Sequence, residues 1–318
     1  MSEPALHMPP HPASLSEQAR GQLAGLQAAQ MTEVPPMEQM RAMTQTMQQL
    51  IGAEQRKAHA VSVSDDVLGG VPVRRIVPDG GAPDPRRVLL NIHGGGFATD
   101  SGSLTENIPI AALTGIEVVA CLYRFAPEHP YPAAVDDVLA IYKALLETHD
   151  AGDIGVYGTS AGAVIGPQLM MRLEKEGLPL PAALGVFSGE SDLRGTADSL
   201  HIFARAVENA ALTGAKDAYV GSADPSDPLL SPILGDLSRF PPTLCLSSGR
   251  DVLLSGTVNL ARALGDAGVT HELIVYDALP HAFWAYLLAP ESDDAFRRMA
   301  RFLAKHVGRR GQGDRAQG

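Results

Sequence analysis

The chain predicts an α/β fold in which a mostly parallel sheet is covered by helices on both faces. Three observations carry that expectation. From Val88 onward, short apolar runs alternate with stretches of helical spacing, the order that joins parallel strands by crossover helices. These runs are continuously apolar, as strands buried on both faces are, whereas Ala58 to Val77 alternates and reads as two antiparallel strands turning at Gly69-Gly70. Glycine-rich turns close two of the runs, at the strand ends where open parallel sheets place their sites. A length of 318 residues, 45% hydrophobic and 19% charged, fits one large domain, or a domain with a lid, better than two separate folds.

Met1 to Pro12 is proline-rich and predicts little order. A helix is expected from near Ser14, because Ser14 and Glu17 have capping-box spacing and Leu15, Ala19, Leu23 and Leu26 share a face. Pro35-Pro36 breaks the pattern, and a second helix runs to about Lys57. Its stripe of Met37, Met40, Met43, Met47 and Leu50 reads as the face that packs on the domain below, or else as a pliable lid over a pocket. Gly80 to Pro85 is a loop. The strands of the main sheet are Val88 to Ile92, Glu117 to Tyr123, Ile154 to Tyr157, Ala183 to Phe187, Thr243 to Ser247 and Glu272 to Tyr276. Helices are expected near Leu104 to Leu113, Ala133 to Thr148, Ala163 to Glu176, Gly256 to Ala267 and Ser292 to Val307. Gly166-Pro167 inside the third of these predicts a kink or an irregular turn. Asp198 to Gly221 reads as helical and lies outside the alternation. The expected organisation is therefore an N-terminal helical cap segment over 1–57 and a main domain over 58–318 with a cap insertion around 198–221.

A net charge of −11 gives no reason to expect nucleic acid or anionic membrane as partner. The basic cluster of the tail, Arg309, Arg310 and Arg315 among glycines, reads as a frayed end. Cys121 and Cys245 sit in apolar strands and read as buried thiols of a reducing compartment. The ten histidines form no zinc-spaced cluster with them, so no metal is expected. No signal peptide and no membrane span are read, which makes the cytoplasm the expected location.

Gly158-Thr159-Ser160-Ala161-Gly162 places a serine between glycines at a strand-to-helix junction, the nucleophile-elbow pattern. In so tight a turn a side chain beside the serine would strike neighbouring backbone, and glycine removes the clash. Ser160 then projects at a helix N-terminus, whose N–H groups favour developing negative charge. Taken alone, the pentapeptide also reads as a glycine-rich turn with a capping serine. The later chain decides between the two. A serine hydroxyl needs a base to take its proton, and the base needs a carboxylate to orient it. The elbow architecture supplies them in the order acid, then histidine, on loops after later strands. Ser247-Ser248-Gly249-Arg250-Asp251 closes the Thr243 strand, and Ala278-Leu279-Pro280-His281 follows the next. Upstream, His93-Gly94-Gly95-Gly96-Phe97 lies where such a hydrolase needs its second oxyanion donor, each donor being worth roughly 3 kcal/mol. On placement alone, Phe97, Phe203, Leu253, Phe283 and Trp284 are expected around the pocket.

Together these motifs resemble the hormone-sensitive-lipase-like family of α/β-hydrolases, in its bacterial esterase branch with a Gly-Thr-Ser-Ala-Gly elbow. The segment Tyr123-Arg124-Phe125-Ala126-Pro127-Glu128-His129-Pro130-Tyr131-Pro132-Ala133-Ala134 and Asp192-Leu193-Arg194-Gly195 fit as well, and the resemblance covers Val61 to the C-terminus. It implies an α/β-hydrolase fold with a mostly parallel eight-stranded sheet and a helical cap. It implies Ser160 as nucleophile, His281 as base and Asp251 as its orienting acid, with an oxyanion hole from the N–H groups of Gly95, Gly96 and Ala161. His93, Arg124, Glu128 and Asp136 would be structural. No cofactor is implied. The substrate would be a small-molecule ester with a short acyl chain, and related esterases are often dimers. Thr159 stands where many members have Asp, Ala163 where many have Gly, and Ser255 where the acid segment often carries a second acidic residue. The same triad would serve an amide, lactone or carbamate. The gibberellin receptor resembles this family too and only binds its ligand, but a receptor of that kind lacks the histidine present here as His281.

Overall fold

A computed structural model describes residues 10–28, 34–79, 84–203 and 206–308. Eight strands are described: β1 (Val61–Leu68), β2 (Val71–Pro78), β3 (Val88–Ile92), β4 (Glu117–Cys121), β5 (Ile154–Thr159), β6 (Ala183–Phe187), β7 (Thr243–Arg250) and β8 (His271–Pro280). They form one sheet in the order β1-β2-β4-β3-β5-β6-β7-β8. β1 and β2 pair antiparallel, as do β2 and β4, and every later pairing is parallel. After β3 the chain first steps outward to β4 and then returns to the other flank at β5, so the order reverses around β3. That switch point leaves a crevice at the C-terminal ends of β3 and β5. The register Ile92↔Gly158 sets the loops after these two strands side by side.

The helices are α1 (Glu17–Ala28), α2 (Met37–Ala58), α3 (Asn107–Thr114), α4 (Ala133–Leu146), α5 (Ala161–Lys175), α6 (Asp198–Phe203), α7 (Ala206–Val220), α8 (Leu254–Asp266) and α9 (Pro290–His306). Strand periodicity sends alternate side chains to opposite layers. Val88, Leu90 and Ile92 of β3 pack in one core with Val138, Ile165 and Leu169. Leu89 packs in the other with Ile108, Phe296, Met299 and Leu303. Each fully buried aliphatic side chain contributes roughly 1.5–3 kcal/mol, which is why both faces of the sheet must be covered.

Four local expectations are corrected. The cap of α1 is Ser16, not Ser14: the Ala19 N–H donates to Ser16 Oγ at 3.0 Å. Ser16 in turn donates its N–H (2.6 Å) and hydroxyl (2.9 Å) to Glu291 of α9, while Ser14 reaches out to Asp277. α2 does not bury its Met stripe. Gln48, Gly52 and Gln55 face inward, and Met43 and Leu50 are exposed. The glutamines win because they satisfy loop backbone: Gln48 donates to Asp100 O and accepts from Leu104 N–H, and Gln55 donates to Thr105 O. α5 runs unbroken through Pro167, since residues 161–170 are all buried and that packing holds the helix across the missing hydrogen bond. β7 and β8 extend past their apolar runs to Arg250 and Pro280. Met1 to Pro9 and Gly80 to Pro83 lie outside the described residues, as do Arg309, Arg310 and Arg315. Cys121 and Cys245 are buried and unpaired. Among the described residues no helix is long and apolar enough to cross a membrane.

Candidate active site

Ser160 follows β5 directly and stands at the head of α5 with φ 55° and ψ −117°. Positive φ strains a non-glycine residue, so the turn must be held from outside. The Ser160 N–H donates to Phe187 O at 2.9 Å, and the Val164 N–H donates to Ser160 O at 3.2 Å. The flanking glycines admit the neighbouring strand. A Cβ on Gly162 would lie 1.7 Å from Ile92 O, and one on Gly158 would lie 2.4 Å from the Gly162 carbonyl.

β7 and β8 deliver the other two side chains to the same edge. His281 Nε2 is 2.9 Å from Ser160 Oγ, and His281 Nδ1 is 2.7 Å from Asp251 Oδ1. With the carboxylate accepting, the proton is assigned to Nδ1, which leaves Nε2 facing the serine hydroxyl. The Asp251 side chain is fully buried. Its Oδ2 accepts from Ser247 Oγ at 2.7 Å and from Ser188 Oγ, and its Oδ1 accepts from the Leu253 N–H at 2.8 Å. Burial alone would raise the Asp251 carboxyl, but the adjacent His281 and these donors hold it below the ordinary carboxylate range. The sequence reading does not include Ser188 or Ser247 as partners of Asp251. Their only sequence signal is a serine at the C-terminal end of a strand adjoining the Asp251 loop.

After β3, Gly95 (φ 120°) and Gly96 (φ 60°) turn the chain back on itself. The Ala98 and Thr99 N–H groups donate to Gly95 O at 3.1 and 3.0 Å. A Cβ on Gly95 would sit 1.9 Å from Thr99 O, so glycine is obligatory there. The N–H groups of Gly95, Gly96 and Ala161 make no hydrogen bond to a protein acceptor among the described residues. His93 is buried beneath this loop, stacked 4.3 Å from Tyr123, with Nδ1 2.7 Å from Gly94 O. Tyr123 Oη donates to His93 O at 3.0 Å. Arg124 pairs with Asp137 (2.8 Å) and Asp136 with Arg172 (3.0 Å). Arg41 of α2 pairs with Glu128 at 2.8 Å and donates from Nε to Ala98 O at 2.9 Å, tying α2 to the glycine loop.

Ser160, Ala161 and Gly96 open onto a cavity of about 50 Å³. Phe97 and Leu253 line it, and Tyr219 of α7 stacks on Phe97 with ring centroids 3.9 Å apart. Phe283 and Trp284 lie elsewhere. The short turn after His281 drives both into the core beside β6 and α9, where Trp284 meets Phe187 edge-on. Phe203, on α6, is half-buried and is not among the cavity's lining residues. The helices α6 and α7 instead present Leu200, Leu212 and Lys216, and Glu190 enters from the loop after β6. Among the described residues no group of three or more His, Cys, Asp or Glu side chains is placed to hold a metal ion.

A strand-ordered sheet with this serine, histidine and aspartate at its C-terminal edge defines a hydrolase of the α/β type. Residues 89–285 match the family described by the alpha/beta hydrolase fold. The chain is 33% identical to an acetyl-hydrolase of Streptomyces hygroscopicus over 70% of its own length and 77% of that protein. The crystal structure of esterase E25 superposes with a TM-score of 0.84 at 31% identity, covering 96% of this chain and 99% of that one. An esterase from the bacterial hormone-sensitive lipase family superposes with a TM-score of 0.74 at 28% identity, over 87% of this chain and all of that one. The chain belongs to the α/β-hydrolase family, in its hormone-sensitive-lipase-like branch.

Proposed function

We propose that the protein is a serine carboxylesterase that hydrolyses short-chain acyl esters through a covalent acyl-enzyme. The observation that carries this reading is the continuous chain from Asp251 Oδ1 to His281 (2.7 Å) and from His281 Nε2 to Ser160 Oγ (2.9 Å), beside three N–H groups that donate to no acceptor among the described residues. His281 Nε2 takes the proton as Ser160 Oγ attacks the ester carbonyl. The new oxyanion accepts hydrogen bonds from Gly95, Gly96 and Ala161, at the positive end of α5. Asp251 stabilises the imidazolium. The carbonyl then re-forms, the C–O bond to the alcohol breaks, and Nε2 returns the proton to the leaving oxygen. Water attacks the acyl-enzyme by the same route and releases the acid. The cavity beside Ser160 is small, about 50 Å³, which supports a short chain in it.

In the same reading α1, α2, α6 and α7 act as the cap. A cytoplasmic location is supported by the unpaired thiols. A homodimer is supported by the edge strand β8, which exposes Leu273 and Val275. The test is Ser160→Ala assayed on 4-nitrophenyl acetate and butyrate. Loss of several orders of magnitude in kcat is expected, and retained turnover would sink the mechanism. An acyl-chain series with amide and lactone substrates alongside then reads which bond is preferred.

A further inference from the structure

The cavity beside Ser160 has a hydrocarbon wall from Phe97, Val164, Leu200, Leu212 and Leu253, and two charged residues also line it, Glu190 and Lys216. Glu190 is fixed to the frame that holds the triad. The Gly189 N–H donates to Thr257 Oγ1 at 3.1 Å, and the Thr257 hydroxyl donates back to Gly189 O at 2.9 Å. A Cβ on Gly256 would lie 2.4 Å from Glu190 Cβ, so α8 carries glycine where this loop presses on it. Ser188, two residues earlier, bonds the Asp251 carboxylate.

The Glu190 carboxyl accepts no hydrogen bond from the described residues. The charges that act on it are Lys216 and Asp192. Burial pushes it up to about 7, against the pull of Lys216. Glu190 is half-buried, and a plain alkyl chain that displaced water from the cavity would leave its carboxyl without a donor, which is destabilising. A net cation is repelled by Lys216 and a net anion by Glu190. A neutral group that donates toward Glu190 and accepts from Lys216 satisfies both, and a hydroxyl is the smallest that does.

We propose that Glu190 and Lys216 are specificity-determining residues, and that the preferred esters carry a neutral hydroxyl on the portion that enters the cavity. The proposal rests on the esterase reading above. It is tested with isosteric substrate pairs in two arms: 4-nitrophenyl 3-hydroxybutyrate against 3-methylbutyrate for the acyl side, and 2-hydroxyethyl acetate against propyl acetate for the alcohol side. In wild type, kcat/KM is expected to favour the hydroxyl member by about tenfold or more in one arm. Glu190→Leu is expected to bring that ratio to about one or below, and Lys216→Met to lower it. A wild-type ratio at or below one in both arms overturns the proposal, as does a ratio that neither variant moves. Stoichiometric labelling by a fluorophosphonate reports whether each variant keeps its site; if Glu190→Leu does not label, Lys216→Met decides. Turnover surviving in Ser160→Ala would instead strike the esterase reading and leave the pocket's preference as a separate result.

Discussion

Glu106 lies behind the nucleophile elbow, 3% exposed, with Asn91 Nδ2 3.5 Å from Oε2 and Thr159 beside it. Burial, opposed by Thr159 and Asn91, pushes its carboxyl up to about 8 from the ordinary value of 4.5. The folded chain therefore holds a proton that the unfolded chain releases across that window, and stability falls as pH rises through it. At about 1.36 kcal/mol per pH unit, raising the pH from about 5 to about 7.5 withdraws on the order of 3 kcal/mol. Glu106→Gln keeps the shape, one acceptor and one donor, and has nothing to ionise. Urea unfolding of both proteins at the two pH values isolates the effect, because the other titrating groups cancel in the difference. The stability of the variant relative to wild type should rise by about 3 kcal/mol between about pH 5 and about pH 7.5. Two curves that stay parallel within about 0.5 kcal/mol would refute a neutral acid at this position.

Two further substitutions probe the frame of the site. Ser247→Ala removes the 2.7 Å bond to Asp251 Oδ2, and since a hydrogen bond to a charged group contributes about 1.5–3 kcal/mol, kcat should fall about 10- to 100-fold with KM nearly constant in steady-state assays. An unchanged kcat would mean that Ser188 and Leu253 hold the carboxylate without it. Gly162→Ala puts a Cβ 1.7 Å from Ile92 O, a backbone atom of the central strand that cannot give way. Loss of at least about 4 kcal/mol in thermal unfolding, or no soluble protein, is expected, and a wild-type melting curve would show that the elbow and β3 are not in contact.

The sheet is readable in the sequence because its inner strands are apolar on both faces. Val88 to Ile92 and Ala183 to Phe187 coincide with β3 and β6 residue for residue. β7 and β8 outrun their apolar stretches because backbone pairing continues through Ser248 and Arg250, whose side chains carry no strand signal. The order of Ser160, Asp251 and His281 is readable for a similar reason: consecutive parallel strands end at one edge, so residues far apart in sequence converge there. The pocket wall is not readable. Phe283 and Trp284 adjoin His281 in sequence, yet one short turn sends them into the core. The buried Gln48 and Gln55 of α2 escape a hydrophobic pattern altogether, because what they satisfy is the backbone of a distant loop.

Backbone strain shows most directly why the glycines are the better guide. Among the described residues, five that are not glycine have positive φ: Phe97, Ser160, Ser188, Ala278 and Ala282. None is a residue that prefers that conformation, so no propensity argument finds them. Every one flanks the candidate site: Phe97 beside the glycine loop after β3, Ser160 between β5 and α5, Ser188 on the Asp251 carboxylate, Ala278 and Ala282 astride His281. Each such residue costs of order 1–3 kcal/mol and persists only where its neighbours over-determine it. Close backbone approach is what over-determines three of them, and close approach requires glycine next door. Gly95, whose Cβ would sit 1.9 Å from Thr99 O, lies two residues before Phe97, Gly158 and Gly162 bracket Ser160, and Gly189 follows Ser188 with its own Cβ position blocked by Ala163. Around His281 the sequence neighbours are not glycine, and side-chain hydrogen bonds hold the backbone instead: locally Tyr286 Oη donates to His281 O at 3.0 Å, and at long range the Ala282 N–H donates to Ser188 Oγ at 3.4 Å. The glycine motifs thus mark three corners of the site in the sequence because they are the steric counterpart of its strain. The fourth corner, held by side-chain hydrogen bonds, is announced only by the position of His281 in chain order.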